Sequence, residues 1–367
     1  MQLMTNEYHT PVMLAEALEG LAIRPEGVYV DVTFGGGGHS RAILDRLGED
    51  GHLYAFDQDR DAAAVAANFP ACGGDPGDPG NPDDPLRISQ DLFGSDKSWK
   101  SKEDLQDLQD FAKRENNSPR FTFFNENFRH MKSFLRLHGV RQVDGILADL
   151  GVSSHQFDVA ERGFSTRLDG ELDMRMDARN PMTAADLVNS LSEEELARLL
   201  RLYGELPNAR QMAKAIVQFR DRSSEFGGIR TTMELREAVQ KHLPRGAENK
   251  YLAMLFQALR IEVNGELEAL KALLQQSAEL LVPGGRLVVI SYHSLEDRLV
   301  KNFMRAGNFD GTVEKDFYGN PLSPMRQLKK CAASAAEVAA NNRSRSAMLR
   351  VGEKMGVESG KSKVESE

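Results

Sequence analysis

The residues best suited to bring a ligand close to the backbone are four consecutive glycines, Gly35 to Gly38, followed by His39 and Ser40. They come after the β-branched run Val30–Thr33 and before a helical pattern. Glycine adopts positive φ without a steric cost, and a helix start offers free N–H groups and a positive dipole end. The stretch predicts a site for an anionic or carboxylate-bearing small molecule, with a plain tight turn as the alternative.

Two carboxylates end apolar strand patterns elsewhere in the chain. Asp57 closes the run 52–57, and Asp149 closes the run that begins at Asp144. Ligands bind at the carboxyl ends of parallel strands, so Asp57 is predicted to contact ribose hydroxyls, with helix capping as the alternative. Asp149 is predicted either to accept a proton from an amino group or to contact a cofactor, and a strand-end cap is its structural alternative.

Several site classes are excluded by residues that are absent. Gly38-His39-Ser40 lacks the lysine of a phosphate-binding P-loop, and the glycine run matches a dinucleotide fingerprint only loosely. S-adenosylmethionine is the remaining common occupant of such a turn. The two cysteines, Cys72 and Cys331, have no metal-ligand spacing, so we expect neither a zinc site nor a disulfide framework, and no other metal site is predicted.

Charge and hydropathy limit the partners of this 367-residue chain. Asp and Glu outnumber Lys and Arg by 55 to 46, which disfavours a general polyanion binder. No stretch approaches the roughly 20 apolar residues that span a bilayer, so a cytoplasmic protein without membrane partners is expected. A local basic patch could still hold RNA phosphates, and its candidates are Arg298, Lys301, Arg305, Arg326, Lys329, Lys330, Arg343, Arg345 and Arg350.

Strand and helix patterns alternate in the first and last parts of the chain, which predicts an α/β fold with a parallel sheet. The first part of the core is expected over 1–160, with a surface insertion at 71–118 where turn residues replace core residues. Capping boxes at Ser192 and Thr231 predict a helical subdomain over 161–250. The core resumes over 251–351, and the charged segment 352–367 is predicted to be disordered.

Six motifs in order closely resemble one family, the bacterial small-subunit ribosomal RNA N4-cytidine methyltransferases known as methyltransferase H. The resemblance spans nearly the whole chain outside 71–118 and the tail. The motifs are His9-Thr10-Pro11-Val12-Met13, Thr33–Ser40, Asp149-Leu150-Gly151-Val152-Ser153-Ser154-His155-Gln156, Arg162-Gly163-Phe164-Ser165, Leu172–Asp177 and Ser291–Arg298.

The resemblance implies a class I, Rossmann-like S-adenosylmethionine methyltransferase core with an inserted helical domain that recognises the substrate. It implies methylation of the N4 amino group of a cytidine in the decoding region of 16S rRNA, with small-subunit rRNA or the 30S subunit as partner. The cofactor contacts it implies are Gly37, Gly38, His39, Asp57, Phe128, Asp149 and Gln156, and it leaves open whether His39 binds through its side chain or its backbone.

Candidates for the chemistry are Asp149, Ser153, Ser154 and His293. Helix capping is the structural alternative for the two serines, and a hydrogen-bonded core position is the alternative for His293. Tyr292 could stack on an extruded base or pack in the core. Two rival functions remain, a DNA amino-methyltransferase and a non-catalytic ribosome-assembly factor that keeps the cofactor pocket. A monomer and a homodimer are both compatible with the sequence.

Overall fold

A computed structural model describes residues 11–67, 69, 120–223, 227–319 and 322–356. The predicted insertion at 71–118 lies outside these residues. Contacts divide the chain into two compact units. The first, here the sheet unit, comprises 1–57, 63–150 and 271–367, and the second, here the helical unit, comprises 58–62 and 151–270.

The sheet unit is built on seven strands in the order β3-β2-β1-β4-β5-β7-β6. Strands β1 to β5 pair in parallel, and β7 runs antiparallel between β5 and β6. This mixed α/β sheet confirms the predicted Rossmann-like class. The strands are β1 (Val28–Asp31), β2 (His52–Phe56), β3 (Phe121–Phe124), β4 (Val143–Asp149), β5 (Leu281–Ser291), β6 (Met325–Ala332) and β7 (Met348–Lys354).

The burial of the strands explains why the sequence patterns predicted them. The four residues at the end of β2 and most of β4 and β5 are buried, as expected for parallel strands covered on both faces. Helices of the sheet unit or shared with the helical unit are α1 (Leu14–Leu21), α2 (Gly38–Leu44), α3 (Arg60–Ala67), α4 (Met131–Leu137), α11 (Glu266–Leu280), α12 (Ser294–Ala306) and α13 (Ala335–Ala340). Within the described ranges, no helix has the length and apolarity needed to cross a membrane.

The helical unit has its own apolar core, in which Leu200, Met212, Ile216 and Leu259 are completely buried. Four of its helices begin with capping boxes, including those predicted at Ser192 and Thr231. Its helices are α5 (Ser154–Asp158), α6 (Ala184–Ser190), α7 (Glu193–Leu202), α8 (Ala209–Arg222), α9 (Thr232–Val239) and α10 (Glu248–Asn264).

The boundaries of the helical unit differ from the expected 161–250. The chain leaves the sheet at Leu150, so the motif that follows Asp149 belongs to the helical unit. At the other end, α10 contributes buried residues such as Leu255 and Leu259 to the helical core. Helix α10 ends at Asn264, and Gly265, which adopts φ 57°, separates it from α11.

One expectation about local structure is wrong, and two further features were not anticipated from the sequence. The expected tail begins too early, because Gly352 and Glu353 pair with Leu287 and Arg286 in the sheet. Strand β6 was not anticipated, since it reads as a charged edge strand with mostly exposed residues. Segment 172–177 forms no strand, although it alternates like one, because Met174 adopts φ 60°.

Candidate functional site

The glycine turn after β1 leads directly into α2. Gly35 adopts φ 52° and Gly37 φ 74°, conformations that favour glycine. A Cβ on Gly37 would lie 2.5 Å from the Phe69 ring, and one on Gly38 would lie 2.3 Å from Pro11. These two glycines are therefore required by packing. At Gly35 the nearest heavy atom to such a Cβ is 4.0 Å away, so the turn has open space there.

Asp57 lies beside this turn at the end of β2. Its Oδ2 accepts a hydrogen bond from the Gly35 backbone N–H at 2.8 Å. The carboxylate therefore lies next to the glycine turn, and its predicted contact with ribose hydroxyls stays a prediction. The alternative of a helix N-cap for Asp57 is not what the structure shows, since α3 begins only at Arg60.

The segment that carries Phe128 is tied to the same edge of the sheet. The side-chain amide of Asn125 donates to the Asp57 carbonyl at 2.9 Å, just after β3 ends. Asn127 then caps a short 3₁₀ turn that begins at Phe128 by accepting from the Arg129 N–H. Phe128 is half-buried, and its predicted cofactor contact stays a prediction.

Asp149 ends β4 and is held by groups from two other loops. The Tyr292 hydroxyl donates to Asp149 Oδ1 at 2.7 Å, and the Asp149 backbone N–H donates to Thr33 Oγ1 at 2.7 Å. His39 Nδ1 lies 3.9 Å from Asp149 Oδ2. The structure thus brings together two predicted site residues, His39 and Asp149, with Tyr292, whose hydroxyl contact the sequence did not reveal.

Burial raises the pKa of Asp149 to about 6. His39 and the Tyr292 hydroxyl oppose this rise in pKa, while the carboxylates of Asp31 and Glu296 add to it. The side chain keeps 21% of its surface exposed, so it is reachable. A carboxyl group with a pKa near 6 can accept a proton at neutral pH and release it afterwards.

His39 is fixed by a bond to the lead-in segment. Its Nε2 lies 3.1 Å from the Val12 carbonyl oxygen, which can only accept, so Nε2 is the donor. Burial lowers the pKa of His39. The ring is therefore held neutral near pH 7, with its second nitrogen turned toward Asp149.

Asp31 is a buried site residue that sequence reasoning missed. It is completely buried, and its two oxygens accept from the Ser40 hydroxyl at 2.7 Å and the Thr33 N–H at 3.1 Å. Burial raises its pKa to about 6. Asp31 links the end of β1 to the glycine turn and α2. The available signal was a carboxylate inside the apolar run Val30-Asp31-Val32.

His293 serves as the N-cap of α12. Its Nδ1 accepts from the Glu296 N–H at 3.4 Å, and its Nε2 lies 3.2 Å from Glu296 Oε1. Nδ1 therefore serves as a helix cap, as the structural alternative predicted, whereas the buried Nε2 forms no hydrogen bond within the described part of the chain. Its predicted catalytic role stays a prediction, and we assign it no step below.

Gln156, Ser153 and Ser154 belong to the helical unit. Ser153 and Gln156 form the capping box of α5, and the Gln156 amide also donates to Asp59 Oδ2 at 2.5 Å. Asp59 is held in addition by Arg162 at 2.7 Å. The capping alternative therefore describes Ser153, Ser154 is the first residue of α5, and the cofactor contact of Gln156 stays a prediction.

The predicted basic patch is smaller than the sequence suggested. Arg350 is 2% exposed and bonds Asp297 and Gln327, so it cannot hold phosphates. Arg326 pairs with Glu353, and Lys329 pairs with Glu19. The sequence did not reveal these pairings, because the partners lie far apart along the chain.

The residues of the sheet unit fit S-adenosylmethionine. The turn at Gly35 has room that a side chain would fill, and two carboxylates, Asp57 and Asp149, face the same edge of the sheet as acceptors. The cofactor offers ribose hydroxyls and an α-ammonium group as donors. Asp57 would hold the ribose, and the turn between Gly35 and His39 would hold the remainder through its backbone.

Comparison with known proteins bears on the whole chain. A model of the MraW methylase family matches residues 6–71 and 88–355, and the gap falls inside the predicted insertion. A solved structure titled a putative rRNA methylase from Clostridium thermocellum aligns with 95% of this chain and 100% of its own, at 12% identity and a TM-score of 0.38.

Three relatives carry the name ribosomal RNA small subunit methyltransferase H. The protein of Flavobacterium johnsoniae is 49% identical over 352 residues, covering 96% of this chain and 99% of the relative. That of Cytophaga hutchinsonii is 49% identical over 348 residues (95% and 99%), and that of Bacteroides thetaiotaomicron 48% over 349 residues (95% and 97%). The predicted family and its S-adenosylmethionine cofactor are confirmed: the chain belongs to the MraW methylase family.

Proposed function

We propose that this protein transfers a methyl group from S-adenosylmethionine to the N4 amino group of a cytidine in the decoding region of 16S rRNA. The coarser activity, S-adenosylmethionine-dependent methylation of ribosomal RNA, follows from the family and from the names of its relatives. The choice of an exocyclic amine rests on one observation. Asp149 is an oriented, partly exposed carboxylate whose pKa is raised to about 6, and no Lys or Arg among the described residues is bonded to it.

Bound S-adenosylmethionine supplies a methyl group on a positively charged sulfur. N4 of the cytosine would receive that methyl group as the bond between the methyl group and sulfur is lost, and N4 would then have to release one N–H proton. Asp149 Oδ2 then takes one N–H proton, because Oδ1 is occupied by the Tyr292 hydroxyl. The products are the neutral thioether, N4-methylcytidine and a protonated Asp149, which returns its proton to solvent.

Positioning supplies much of the rate in this scheme. Cytosine N4 is a weak nucleophile, since its lone pair is delocalised into the ring. Thr33 and Tyr292 hold Asp149 from two sides, so the acceptor oxygen does not have to be ordered during the reaction. We place the reaction on ribosomal RNA in the cytoplasm.

The test is a methylation assay with three substrates. Purified protein is incubated with methyl-labelled S-adenosylmethionine and with 30S subunits, naked 16S rRNA or duplex DNA. Nuclease digestion and mass analysis then identify the methylated nucleoside. We expect N4-methylcytidine from small-subunit RNA at one position in the decoding region.

Two results would contradict the proposal. Label that appears in duplex DNA and not in RNA would favour a DNA amino-methyltransferase. Absence of transfer to every substrate, together with normal assembly of small subunits, would favour a non-catalytic assembly factor. A protein with Asp149→Asn serves as the control for label that does not depend on this site.

A further inference from the structure

Two neighbouring aromatic side chains, Phe317 and Tyr318, project from the loop between α12 and β6. This loop, here the aromatic loop, is described over residues 307–319 and 322–324. Phe317 is 98% exposed and Tyr318 is 86% exposed, the highest values among the large apolar residues that the structure describes. The two rings meet edge to face with their centroids 5.7 Å apart, and within the described ranges neither ring contacts another aromatic ring. Both rings are therefore open to an external partner.

Other groups build the turn that carries these rings. The Asp316 carboxylate accepts from the Tyr318 N–H at 2.9 Å, and the Asp316 carbonyl accepts from the Gly319 N–H at 3.0 Å. Gly319 adopts φ 87°, which favours glycine. The Leu322 N–H donates to the Glu314 carbonyl at 2.8 Å and closes the loop below the turn. Because these contacts involve no ring atom, the turn does not require an aromatic residue at either position.

The base of the aromatic loop is fixed to α12. The Asn302 amide donates to the Phe309 carbonyl at 2.9 Å, and the Arg305 guanidinium donates to the Gly311 carbonyl at 2.8 Å. The Phe303 and Phe309 rings are stacked with centroids 5.5 Å apart. The exposed pair is thus presented on an ordered support, which lowers the entropy cost of binding through it.

The aromatic loop lies at the edge of the sheet opposite to Asp149. Strand β7 begins at Met348, which pairs with Ser291 at the edge where Asp149 lies. Its other end, Lys354, pairs with Met325, the residue that follows the loop. These two ends of β7 are six residues apart, a span of roughly 20 Å. A ligand held by the loop is therefore not the nucleotide that receives the methyl group.

We propose that Phe317 and Tyr318 stack on unpaired bases of the substrate rRNA, in a segment separate from the methylated nucleotide. Exposed aromatic faces are the common means by which proteins hold single-stranded RNA. A stable protein interface needs about 800 Å² from each partner, whereas two rings flanked by Glu314, Lys315 and Asp316 offer a small apolar area. The inference rests on the rRNA substrate of the proposed function, but not on which nucleotide is methylated.

Charge supports contact with bases rather than with phosphates. The charged residues in the described part of the aromatic loop are one lysine, Lys315, and three acids, Asp310, Glu314 and Asp316. This loop has no excess positive charge with which to attract the RNA backbone. Loss of the rings should therefore weaken RNA binding without changing its dependence on salt concentration.

Three double variants test the proposal by filter binding of labelled, naked 16S rRNA. Phe317→Ser with Tyr318→Ser removes both rings, and Phe317→Leu with Tyr318→Leu keeps apolar side chains but removes the aromatic faces. We expect the Kd to rise about tenfold in both. Phe317→Trp with Tyr318→Trp keeps the aromatic faces and should retain wild-type affinity. Leu322→Ser, which changes another exposed apolar residue of the loop, is the matched control and should leave the Kd unchanged.

The same variants separate RNA from a protein partner. Wild-type binding by the leucine variant, or a loss that occurs with 30S subunits and not with naked rRNA, would indicate a ribosomal protein and overturn the proposal. An unchanged Kd in the serine variant, or a smaller salt dependence, would also overturn it. Filter binding requires no methyl transfer. A tenfold loss of binding in the serine variant, in a protein that forms no N4-methylcytidine, would support this proposal and contradict the proposed function.

A measurement on the unmodified protein tests the exposure of the pair directly. Tetranitromethane nitrates accessible tyrosines, and mass analysis of peptides locates the product. We expect Tyr318 to be nitrated in the free protein and protected when naked 16S rRNA is added. Absence of nitration in the free protein would mean that the chain itself covers the pair, and equal nitration with and without rRNA would mean that RNA does not reach it. Either result would overturn the proposal.

Discussion

Two carboxylates, Asp149 in the sheet unit and Asp59 in the helical unit, have opposite surroundings. Asp149 bonds a tyrosine hydroxyl, and burial raises its pKa to about 6. Burial acts in the same direction on Asp59, but hydrogen bonds from Arg162, the Asp61 N–H and Gln156 outweigh it and lower the pKa. The difference between them is the presence of a guanidinium group.

The comparison separates a carboxylate suited to proton transfer from one suited to structure. Arg162 bonds both oxygens of Asp59 and also reaches the carbonyl of Arg175, so it ties residues 58–62 to the 172–177 segment within the helical unit. Asp59 therefore remains ionised and paired. The Asp149 carboxylate accepts from the neutral Tyr292 hydroxyl, and no Lys or Arg in the described ranges is bonded to it, so it can change its protonation state near neutral pH.

The largest effect should follow from Asp149→Asn, which keeps the shape of the side chain and removes the proton acceptor. We expect kcat for methyl transfer to fall by about 100-fold or more, within the range for a lost general base. Single-turnover assays with labelled cofactor measure this. A fall of less than threefold in a folded protein would remove Asp149 from the chemistry and reduce its contrast with Asp59.

Asp31 sharpens the comparison, because it is fully buried and, within the part of the chain that the structure describes, also has no cationic partner. Its folded-state pKa of about 6 lies above the unfolded value, so its contribution to stability is present below about pH 4 and is lost as pH rises through 6. Between pH 4 and 8, the free energy of unfolding of wild type should therefore fall by about 3 kcal/mol relative to Asp31→Asn. Denaturant titrations across this range measure it, and parallel pH profiles for the two proteins would contradict the assignment.

Replacing Arg162, the cationic partner of Asp59, tests the second half of the comparison. Arg162→Met should lower the free energy of unfolding of the helical unit by about 2 kcal/mol, since Asp59 is left buried and the Arg162 side chain was partly exposed. Thermal unfolding at pH 7 measures the loss. The variant should recover part of this loss as the pH falls to 4, because burial without Arg162 favours the protonated form of Asp59. A loss that is the same at both pH values would argue against the ion pair.

The smallest effect is expected from Tyr292→Phe, which removes one hydroxyl from Asp149. The hydroxyl lowers the pKa of Asp149, so its loss should move the acidic limb of the pH–rate profile to higher pH. We expect kcat at pH 7 to fall about tenfold, as for one lost hydrogen bond to a charged group. Tyr54→Phe is a distant control in β2. Identical profiles for wild type and Tyr292→Phe would show that the hydroxyl does not act on Asp149.

Sequence patterns predicted the parallel strands well because both faces of β1 to β5 are covered, which produces apolar runs that end on Asp57 and Asp149. The run of glycines likewise predicted the turn at Gly35. These signals are local, and each depends on only a few neighbouring residues.

Long-range pairings left no comparable signal. The Tyr292 hydroxyl reaches an aspartate 143 positions away, so nothing near either residue reveals the contact. The same holds for Arg350 and Asp297, which made a buried arginine appear to be part of a basic patch. The limit of the helical unit at Leu150 was also hidden, because the motif from Asp149 to Gln156 is continuous in sequence but is divided between the two units.

The most direct test of the central claim is the pH dependence of single-turnover methyl transfer to small-subunit RNA. If Asp149 accepts the amino proton, the wild-type rate rises through an apparent pKa near 6, and this limb is absent in Asp149→Asn. Persistence of the same limb in Asp149→Asn would contradict the account, since the titrating group would then be another residue.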